Sequence, residues 1–326
     1  MLPYRSAANF LTHLDSLGKT GPAMINKCSP KGFVVGCALL ATLLILSTSA
    51  FAATACVWRV TNAPAPFYLV GTIHALSGKD YPLPKPYTEA IHNSQQFYFE
   101  ISPHDPDDKF GKLFEAAAVY PKGGDIRKHI HPQTWAFLEK RFRESNALRQ
   151  WHFGEHYIEG PQELRPWAIA YMVWGIRGYS NISGQYGVDN HISYEARRAG
   201  KACGGLESYE AHVDVLRGMA DIDAELILLD ALVRGDQRRD DYNAMRAAWR
   251  RGDIGAMLAE DSRQRKLNPG AEMRLLDYRN LRWIPKIEAL IKSGVPTSIV
   301  VGTGHFCGTN SVIDLLEKKG YKIEQL

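Results

Sequence analysis

The sequence predicts an α/β protein: a single domain in which a mixed, largely parallel sheet carries helices on both faces and includes a helical insertion. Short runs of β-branched and aromatic residues alternate along the chain with longer segments whose apolar residues recur at helical spacing. The 326 residues are 45% hydrophobic and 23% charged, which is ordinary for a globular protein. No domain linker interrupts the pattern, so residues 53–326 are expected to form one domain.

Residues 1–52 are predicted to be a secretory signal peptide and not part of that domain. Two lysines precede the apolar run Phe33–Leu46, and Ala50 and Ala52 then form an A-x-A cleavage pattern. The segment before Met24 is polar and long for a signal, so Met24 is a possible true start. The mature chain is therefore expected to be secreted or periplasmic. Membrane contact is expected only through this segment, which would act as an anchor if it stayed uncleaved.

Charge and cysteine content narrow the partners and the compartment. The net charge is +4, and basic residues are scattered among acidic ones, so nucleic acid is not an expected partner. Cys56, Cys203 and Cys307 lie beyond the predicted cleavage site. An odd number of cysteines in an oxidising compartment permits one disulfide and one free thiol, and the spacing favours no particular pair.

The first part of the domain is predicted to contain a hairpin and a strand that ends in a glutamate. Apolar runs at 57–60 and 67–70 flank a loop with two prolines, which is typical of a hairpin, and the second run leads to His74. A short helix is expected to begin at Tyr87. The next strand, 96–101, is apolar until it reaches Glu100.

Helical spacing dominates the middle of the chain. Aromatic residues at this spacing are interpreted as core, and Asp189 is interpreted as a helix cap. A loop at 178–187, rich in Gly, Ser and Tyr, is long enough to border a binding site. The predicted helices are 105–118, 132–143, 161–177, 189–198 and 221–251.

Strands return towards the end of the chain. A strand at 201–206 ends at Glu207, and residues 279–283 are expected to precede the last long helix. A buried strand at 297–301 leads to His305. A further helix to Lys319 and a terminal strand, 321–326, complete the prediction.

Four of the predicted strands end in a titratable side chain: His74, Glu100, Glu207 and His305. Both histidines close the same short pattern, Gly-Thr-x-His. In an α/β sheet, ligands bind in the crevice outside the carboxyl ends of the strands. If these strands are parallel neighbours, the four side chains surround one crevice.

Two histidines with carboxylates suit a divalent metal ion that keeps an open position for water. We therefore predict His74 and His305 as ligands, Glu100 as the third ligand, and Glu207 as general base or further ligand. Manganese, cobalt and zinc fit this donor set equally well. A closed structural zinc site is an alternative, because Cys307 lies close to His305 in the sequence.

Two further interpretations of the same residues stay open. In a metal-free hydrolase, one histidine would be the general base and a glutamate would orient it, as in erythromycin-esterase-like enzymes. A non-catalytic protein could instead use the crevice to bind haem, metal or a peptide. His152 and His156 also belong to an H-x-x-E-H pattern typical of some zinc peptidases. That pattern requires a helix, and Gly154 disfavours one.

The chain resembles the TraB/PrgY/GumN family, which includes the animal Tiki proteases, from about residue 58 to residue 326. The matching segments are 68–74, 99–100, 187–189, 205–207, 279–280 and 301–305. The resemblance implies a metal-dependent hydrolase that acts on peptide or protein substrates. It also favours a functional role for Arg279, which would clamp a substrate carboxylate or hold Glu100 or Glu207 in place.

Overall fold

A computed structural model describes residues 54–145, 152–153, 156–157, 160–176, 182–234 and 238–326. The predicted signal segment thus lies outside the described residues. The strands are β1 (Val57–Val60), β2 (Phe67–Thr72), β3 (Gln96–Phe99), β4 (His152–Phe153), β5 (His156–Tyr157), β6 (Ala202–Gly205), β7 (Thr297–Gly302) and β8 (Ile323–Gln325).

Six of these strands form one sheet, in the order β6-β3-β7-β2-β1-β8. Strands β6, β3, β7 and β2 run parallel, whereas β1 is antiparallel to both β2 and β8. The central pair β2 and β7 is in register from Phe67 opposite Thr297 to Thr72 opposite Gly302. The strands that lead to the two Gly-Thr-x-His patterns are therefore direct neighbours, and the predicted mixed, largely parallel sheet is confirmed.

Both faces of the sheet are covered. Every residue of β2 is buried, as are the first five of β7. Because successive side chains of a strand point to opposite faces, such continuous burial requires packing on both sides.

The helices fill the segments between the strands and, after β3 and β6, extend into a helical insertion. They are α1 (Lys85–Asn93), α2 (Lys109–Ala118), α3 (Pro132–Glu144), α4 (Pro166–Ile176), α5 (Val188–Arg198), α6 (Tyr209–Arg217), α7 (Asp221–Arg234), α8 (Arg238–Arg250), α9 (Ile254–Leu267), α10 (Pro269–Glu272), α11 (Tyr278–Lys292) and α12 (Val312–Glu317). Within the described residues, no helix is both long enough and apolar enough to span a membrane.

The helical insertion has apolar cores of its own. Leu138 of α3, Ile169 of α4 and Leu228 of α7 share one buried cluster. A second cluster joins Trp167 of α4 to Leu216 of α6 and brings α2 alongside. These helices therefore form a packed body that positions α2, α4 and α6 beside the sheet.

The segment around Arg279 differs from the sequence prediction. Residues 279–283 do not precede the last long helix but lie inside α11, which follows a π-helical turn at Met273–Asp277. Pro285 lies within this helix, where its ring removes one backbone hydrogen bond. Pro285 lies on the exposed side of α11, and the helix continues past it to Lys292. Helix α9, which follows the predicted helical segment 221–251, was not predicted.

The three cysteines within the described residues form no disulfide. Cys56, Cys203 and Cys307 are all free, and Cys56 and Cys307 are buried. Burial raises the pKa of each buried thiol to about 12, which keeps them protonated and unreactive at neutral pH.

A carboxylate-rich cluster lies where α9, α10 and the π-helical turn meet. Arg265 pairs with Asp261 and with Asp277, at 2.9 Å in both cases. Glu272 is left as an additional carboxyl group in this cluster. Burial, followed by the charge of Asp261, raises the pKa of Glu272 to about 7.

Replacing Glu272 with glutamine is expected to stabilise the protein at pH 8 by up to about 3 kcal/mol and to change little at pH 4.5. The folded chain holds this proton up to pH 7, whereas the unfolded chain releases it near pH 4.5. The wild-type protein therefore loses stability as the pH rises between these values. Denaturant unfolding at both pH values measures the difference. Glu317→Gln, on an exposed part of α12, is the matched control, and an equal effect of both substitutions would contradict the prediction.

Candidate active site

The two histidines lie where β2 and β7 end side by side. Thr303 Oγ1 donates a hydrogen bond to the Thr72 carbonyl at 3.0 Å and ties these ends together. The carbonyl of Gly71 accepts hydrogen bonds from the Tyr87 hydroxyl at 2.7 Å and the Trp249 indole at 3.0 Å. A Cβ at Gly71 would approach Thr303 Oγ1 to 2.8 Å, so only glycine permits this close contact.

Glu100 brings both histidines to one point. Its Oε1 lies 3.9 Å from His74 Nε2 and 3.7 Å from His305 Nε2, and it accepts the Gly302 N–H at 2.9 Å. Both imidazole Nε2 atoms therefore lie within 3.9 Å of the same carboxylate oxygen. The structure thus groups the three residues that the sequence analysis proposed as ligands.

Arg279 crosses the centre of the site from helix α11 and is buried. Its Nη2 donates to Glu100 Oε2 at 2.5 Å and to Glu207 Oε1 at 2.6 Å, and its Nε donates to Glu207 Oε1 at 2.9 Å. Its Nη1 lies 3.1 Å from the Leu275 carbonyl and 3.1 Å from His305 Nε2. These contacts account for all five N–H groups of the guanidinium. Arg279 therefore holds both glutamates.

Hydrogen bonding fixes the tautomer of His305. Its Nδ1 lies 2.7 Å from Asn280 Oδ1, which can only accept a hydrogen bond in this pairing. Nδ1 therefore carries the proton, and Nε2 presents a lone pair to the Arg279 N–H. Burial and the charge of Arg279 lower the pKa of His305 to about 3, despite the opposing charge of Glu100. His305 is thus a neutral imidazole, the form that binds metal ions.

His74 lies at the open side of the site, with its side chain 66% exposed. Its Nδ1 is 3.3 Å from Asp189 Oδ1, an arrangement in which a carboxylate orients the ring. Desolvation at the mouth of the cavity lowers the pKa of His74, but the Asp189 hydrogen bond and the charge of Glu100 outweigh it and raise the pKa to about 9, so an ion bound there would displace a proton. The prediction that Asp189 caps α5 is wrong, because Gly187 is the N-cap residue. Asp189 instead lies in the first turn and contacts His74.

Glu207 lies behind Arg279. Its side chain is 6% exposed and does not line the cavity. Besides the Arg279 contacts, Oε1 is 2.8 Å from His212 Nδ1, and Oε2 accepts the Trp283 indole N–H at 3.2 Å. Burial opposes ionisation, but His212 and Arg279 lower the pKa of Glu207.

His212 is a site residue that the sequence analysis missed. It lies on α6, which Ser208 caps, and one helical turn after Glu207. Since both N–H groups of Arg279 Nη2 go to carboxylates, the 2.8 Å contact indicates that His212 Nδ1 donates to Glu207. The sequence signal that could have identified His212 is its place in the first turns of a helix, shortly after a glutamate at the end of a strand.

A cavity of about 580 Å³ opens above these groups, a size typical of ligand pockets. Its polar lining consists of Thr72, His74, Glu100, Asp189, His212, Arg279 and His305. Apolar side chains supply most of the rest of the wall. They are Ile101, Phe110, Phe114, Tyr171, Val215, Leu216, Leu275, Leu276, Val300 and Val301.

The space beside Gly302 has the shape and chemistry of a metal site. A Cβ on Gly302 would lie 3.3 Å from Glu100 Oε1, 3.5 Å from His74 Nε2 and 3.8 Å from His305 Cδ2. The donors thus surround a small volume that the absence of a side chain leaves open. Nitrogen and carboxylate donors of this kind suit a divalent transition metal.

A second group of possible donors contains Glu100, Glu207 and His212, with ligand atoms within 4.8 Å of one another. Arg279 Nη2 already contacts all three of these side chains, at 2.5 to 3.1 Å. A cation in this group would have to displace the guanidinium. The set around Gly302 would require only that Arg279 Nη1 release His305 Nε2, which lies 3.1 Å away, and is therefore the better candidate.

The H-x-x-E-H pattern does not form the helix that it requires. His152 and His156 lie instead in β4 and β5, which pair antiparallel as a separate two-stranded sheet. The loop at 178–187 is described only from residue 182 onward. There, Val188 N–H donates to the Ile73 carbonyl at 3.0 Å, which brings the start of α5 alongside His74.

Together, the fold and the site define an α/β protein with a candidate divalent-metal centre at the carboxyl ends of its parallel strands. The sequence profile of the TraB/PrgY/gumN family matches residues 56–325. The chain belongs to this family, as the strand-end motifs predicted.

Several curated relatives are animal metalloproteases. The chain is 21% identical over 309 residues to metalloprotease TIKI1 of Danio rerio, a match that covers 82% of this chain and 62% of that protein. It is 22% identical over 322 residues to metalloprotease TIKI2 of Xenopus tropicalis, which covers 82% of this chain and 59% of that protein. The chain thus spans about three-fifths of the length of these relatives. No solved structure gives a significant match.

Proposed function

We propose that this chain is an extracytoplasmic metal-dependent hydrolase that cleaves peptide bonds. The convergence of His74, Glu100 and His305 on the space beside Gly302, at the base of a cavity, carries the proposal. The names of the relatives support the substrate class, since they are metalloproteases.

His74 Nε2, His305 Nε2 and Glu100 Oε1 would hold the ion. A divalent ion there would supply Lewis-acid chemistry, which polarises a carbonyl group and makes water more acidic. Asp189 and Asn280 orient the two imidazoles from behind, through Nδ1 in both cases. The identity of the metal among manganese, cobalt and zinc is left to measurement.

The charged groups around the ion site have distinct roles in this proposal. Arg279 places a fixed positive charge against the cavity, where negative charge develops on a substrate carbonyl during hydrolysis. His212 lines the cavity and is oriented by Glu207, which is the arrangement of a general acid–base pair. The general-base role predicted for Glu207 itself stays a prediction. Its location behind Arg279 favours a positioning role instead.

Glu100→Gln and Glu207→Gln, compared side by side, should separate the two glutamates. Loss of Glu100 is expected to remove both bound metal and hydrolysis, because its carboxylate touches both histidines. Loss of Glu207 is expected to spare the metal and to reduce kcat by about 10²–10⁴-fold, the usual contribution of acid–base catalysis. Metal content and turnover of the two purified variants are the measurements. Metal loss in Glu207→Gln with retention in Glu100→Gln would reverse the assignment.

Metal analysis of the purified mature protein tests the function directly. A peptide library is then incubated with the protein before chelation, after chelation, and after addition of Mn²⁺, Co²⁺ or Zn²⁺. Hydrolysis that disappears with chelator and returns with one of these ions supports the proposal. Bound metal without hydrolysis would instead support the non-catalytic binder.

The hydrogen bond between Arg279 and His305 Nε2 favours a second candidate, the metal-free hydrolase. In this arrangement the Nε2 lone pair is already engaged, and His212 with Glu207 supplies an oriented imidazole. The chelation experiment separates the two candidates. Hydrolysis that is insensitive to chelator but lost in His212→Gln would identify the metal-free reaction.

The extracytoplasmic location rests on the sequence of residues 1–52. We expect the mature protein to begin at about Ala53, because the A-x-A pattern ends at Ala52. N-terminal sequencing of the protein from the extracytoplasmic fraction measures this directly. An intact apolar segment in that fraction would indicate an anchor instead.

A further inference from the structure

We infer that the apolar wall of the cavity binds a large hydrophobic side chain of the substrate, next to the bond that is cleaved. This inference rests on the proposed hydrolysis and specifies its substrate class: peptides with an aromatic or large aliphatic residue beside the scissile bond. The apolar wall is formed by Phe110, Phe114, Tyr171, Leu216, Leu275 and Leu276.

Four separate segments of the chain build the apolar wall. Phe110 and Phe114 lie one turn apart on α2, with ring centroids separated by 5.9 Å. The ring of Tyr171 from α4 lies 6.1 Å from that of Phe114. Leu216 comes from α6, and Leu275 and Leu276 come from the π-helical turn that precedes Arg279. Helix α6, which carries His212, and the turn that leads into Arg279 therefore also contribute to the wall.

The wall is open to solvent. Tyr171 is 41% exposed, and Phe110, Phe114, Leu275 and Leu276 are only partly buried. Behind them, Trp167 is 1% exposed and packs edge-on against Phe114 at 5.2 Å, so the wall has a rigid backing. Contiguous apolar surface in a concave site is typical of a binding surface.

The substrate group that binds the apolar wall can be inferred because the wall is continuous with the polar base of the cavity. Both line the same volume of about 580 Å³, so a peptide whose carbonyl group lies at the polar base places a neighbouring side chain against the wall. The charged groups of this cavity are already paired: Arg279 with Glu100 and Glu207, and His74 with Asp189. A charged substrate side chain would find no free partner on the wall, and burial of an unpaired charge is costly.

A library of peptides that differ in one residue beside the cleaved bond tests this inference. We expect kcat/KM to be about 10–200-fold higher for phenylalanine or leucine than for alanine, the discrimination that a hydrophobic pocket achieves, and lowest for aspartate. Tyr171→Ala and Phe114→Ala should each reduce the phenylalanine-to-alanine ratio by at least about 10-fold. The ratio is taken within one protein preparation, so partial loss of folded protein does not distort it. Tyr194→Ala, which removes a 56% exposed tyrosine from α5, is the matched control and should leave the ratio unchanged.

A binding measurement separates this inference from the proposed function. N-acetyl-phenylalaninamide, N-acetyl-alaninamide and N-acetyl-aspartamide are titrated into the wild-type protein and into Tyr171→Ala, with NMR detection. Stronger binding of the phenylalanine probe, lost in Tyr171→Ala, supports the inference even if no peptide is hydrolysed. Hydrolysis without side-chain preference overturns the inference but leaves the proposed function intact. Equal or undetectable binding of all three probes, together with no hydrolysis, overturns both.

Discussion

Replacing Arg279 with methionine is expected to lower the free energy of unfolding at pH 7 by about 3–5 kcal/mol, the usual result of removing one partner from a buried ion pair. Methionine retains much of the length of the arginine side chain but leaves Glu100 and Glu207 buried without their counter-charge. Burial alone would raise the pKa of Glu100, and Arg279 is the main group that holds it well below its usual range. The same charge contributes to the lowered pKa of Glu207.

The stability difference caused by Arg279→Met should shrink as the pH falls. A carboxylate with a depressed pKa stabilises the folded state above its unfolded pKa, and this contribution is lost as the pH drops through the folded value. The variant lacks the contribution throughout, so the two unfolding curves converge in acid. Arg282→Met, three residues after Arg279 on the exposed side of α11, is the matched control and should change stability by less than about 0.5 kcal/mol. Equal stability of the two variants at pH 7 would show that Arg279 does not hold the glutamates.

The strand ends were predictable from the sequence because each carries its signal locally. The runs before His74 and His305 are β-branched and apolar, stop at glycine, and lie in β2 and β7 as expected. Parallel pairing then places both histidines at the same edge of the sheet, which is a property of the fold class. Glu100 follows β3 for the same reason. Local pattern and one topological rule were therefore enough to bring these three residues together.

The remaining contacts depend on tertiary packing, which local pattern does not encode. Aspartate is a common helix-capping residue, so the sequence suggests that role for Asp189. Its carboxylate instead contacts His74, because the segment that follows β2 lies beside the start of α5. His212 lies on α6, where the spacing of apolar residues indicates an amphipathic helix but no role for the histidine. Arg279 reaches both glutamates from inside helix α11, which was predicted to begin only after residue 283. Each of these residues acquires its role from elements distant in sequence.

Gly302→Ala is expected to abolish metal binding while it preserves the fold. The backbone at Gly302 has φ −51° and ψ 135°, which alanine adopts without strain. The added Cβ would occupy the space that the three donors surround, 3.3 Å from Glu100 Oε1 and 3.5 Å from His74 Nε2. Since metal–ligand bonds of about 2 Å leave no room for a methyl group between the donors, the ion is displaced.

The measurements for Gly302→Ala are metal content, thermal stability and peptide hydrolysis. We expect metal to be lost, the melting temperature to change little, and hydrolysis to fall by at least about 100-fold, since the ion supplies several kcal/mol of transition-state stabilisation. Gly304→Ala is the matched control for metal content, because its Cβ would meet only Leu276, at 3.7 Å. His305→Ala removes a donor instead of filling the space and should also lose the metal. If Gly302→Ala and His305→Ala both retain metal, the ion lies away from Gly302, and the group of Glu100, Glu207 and His212 becomes the site to test.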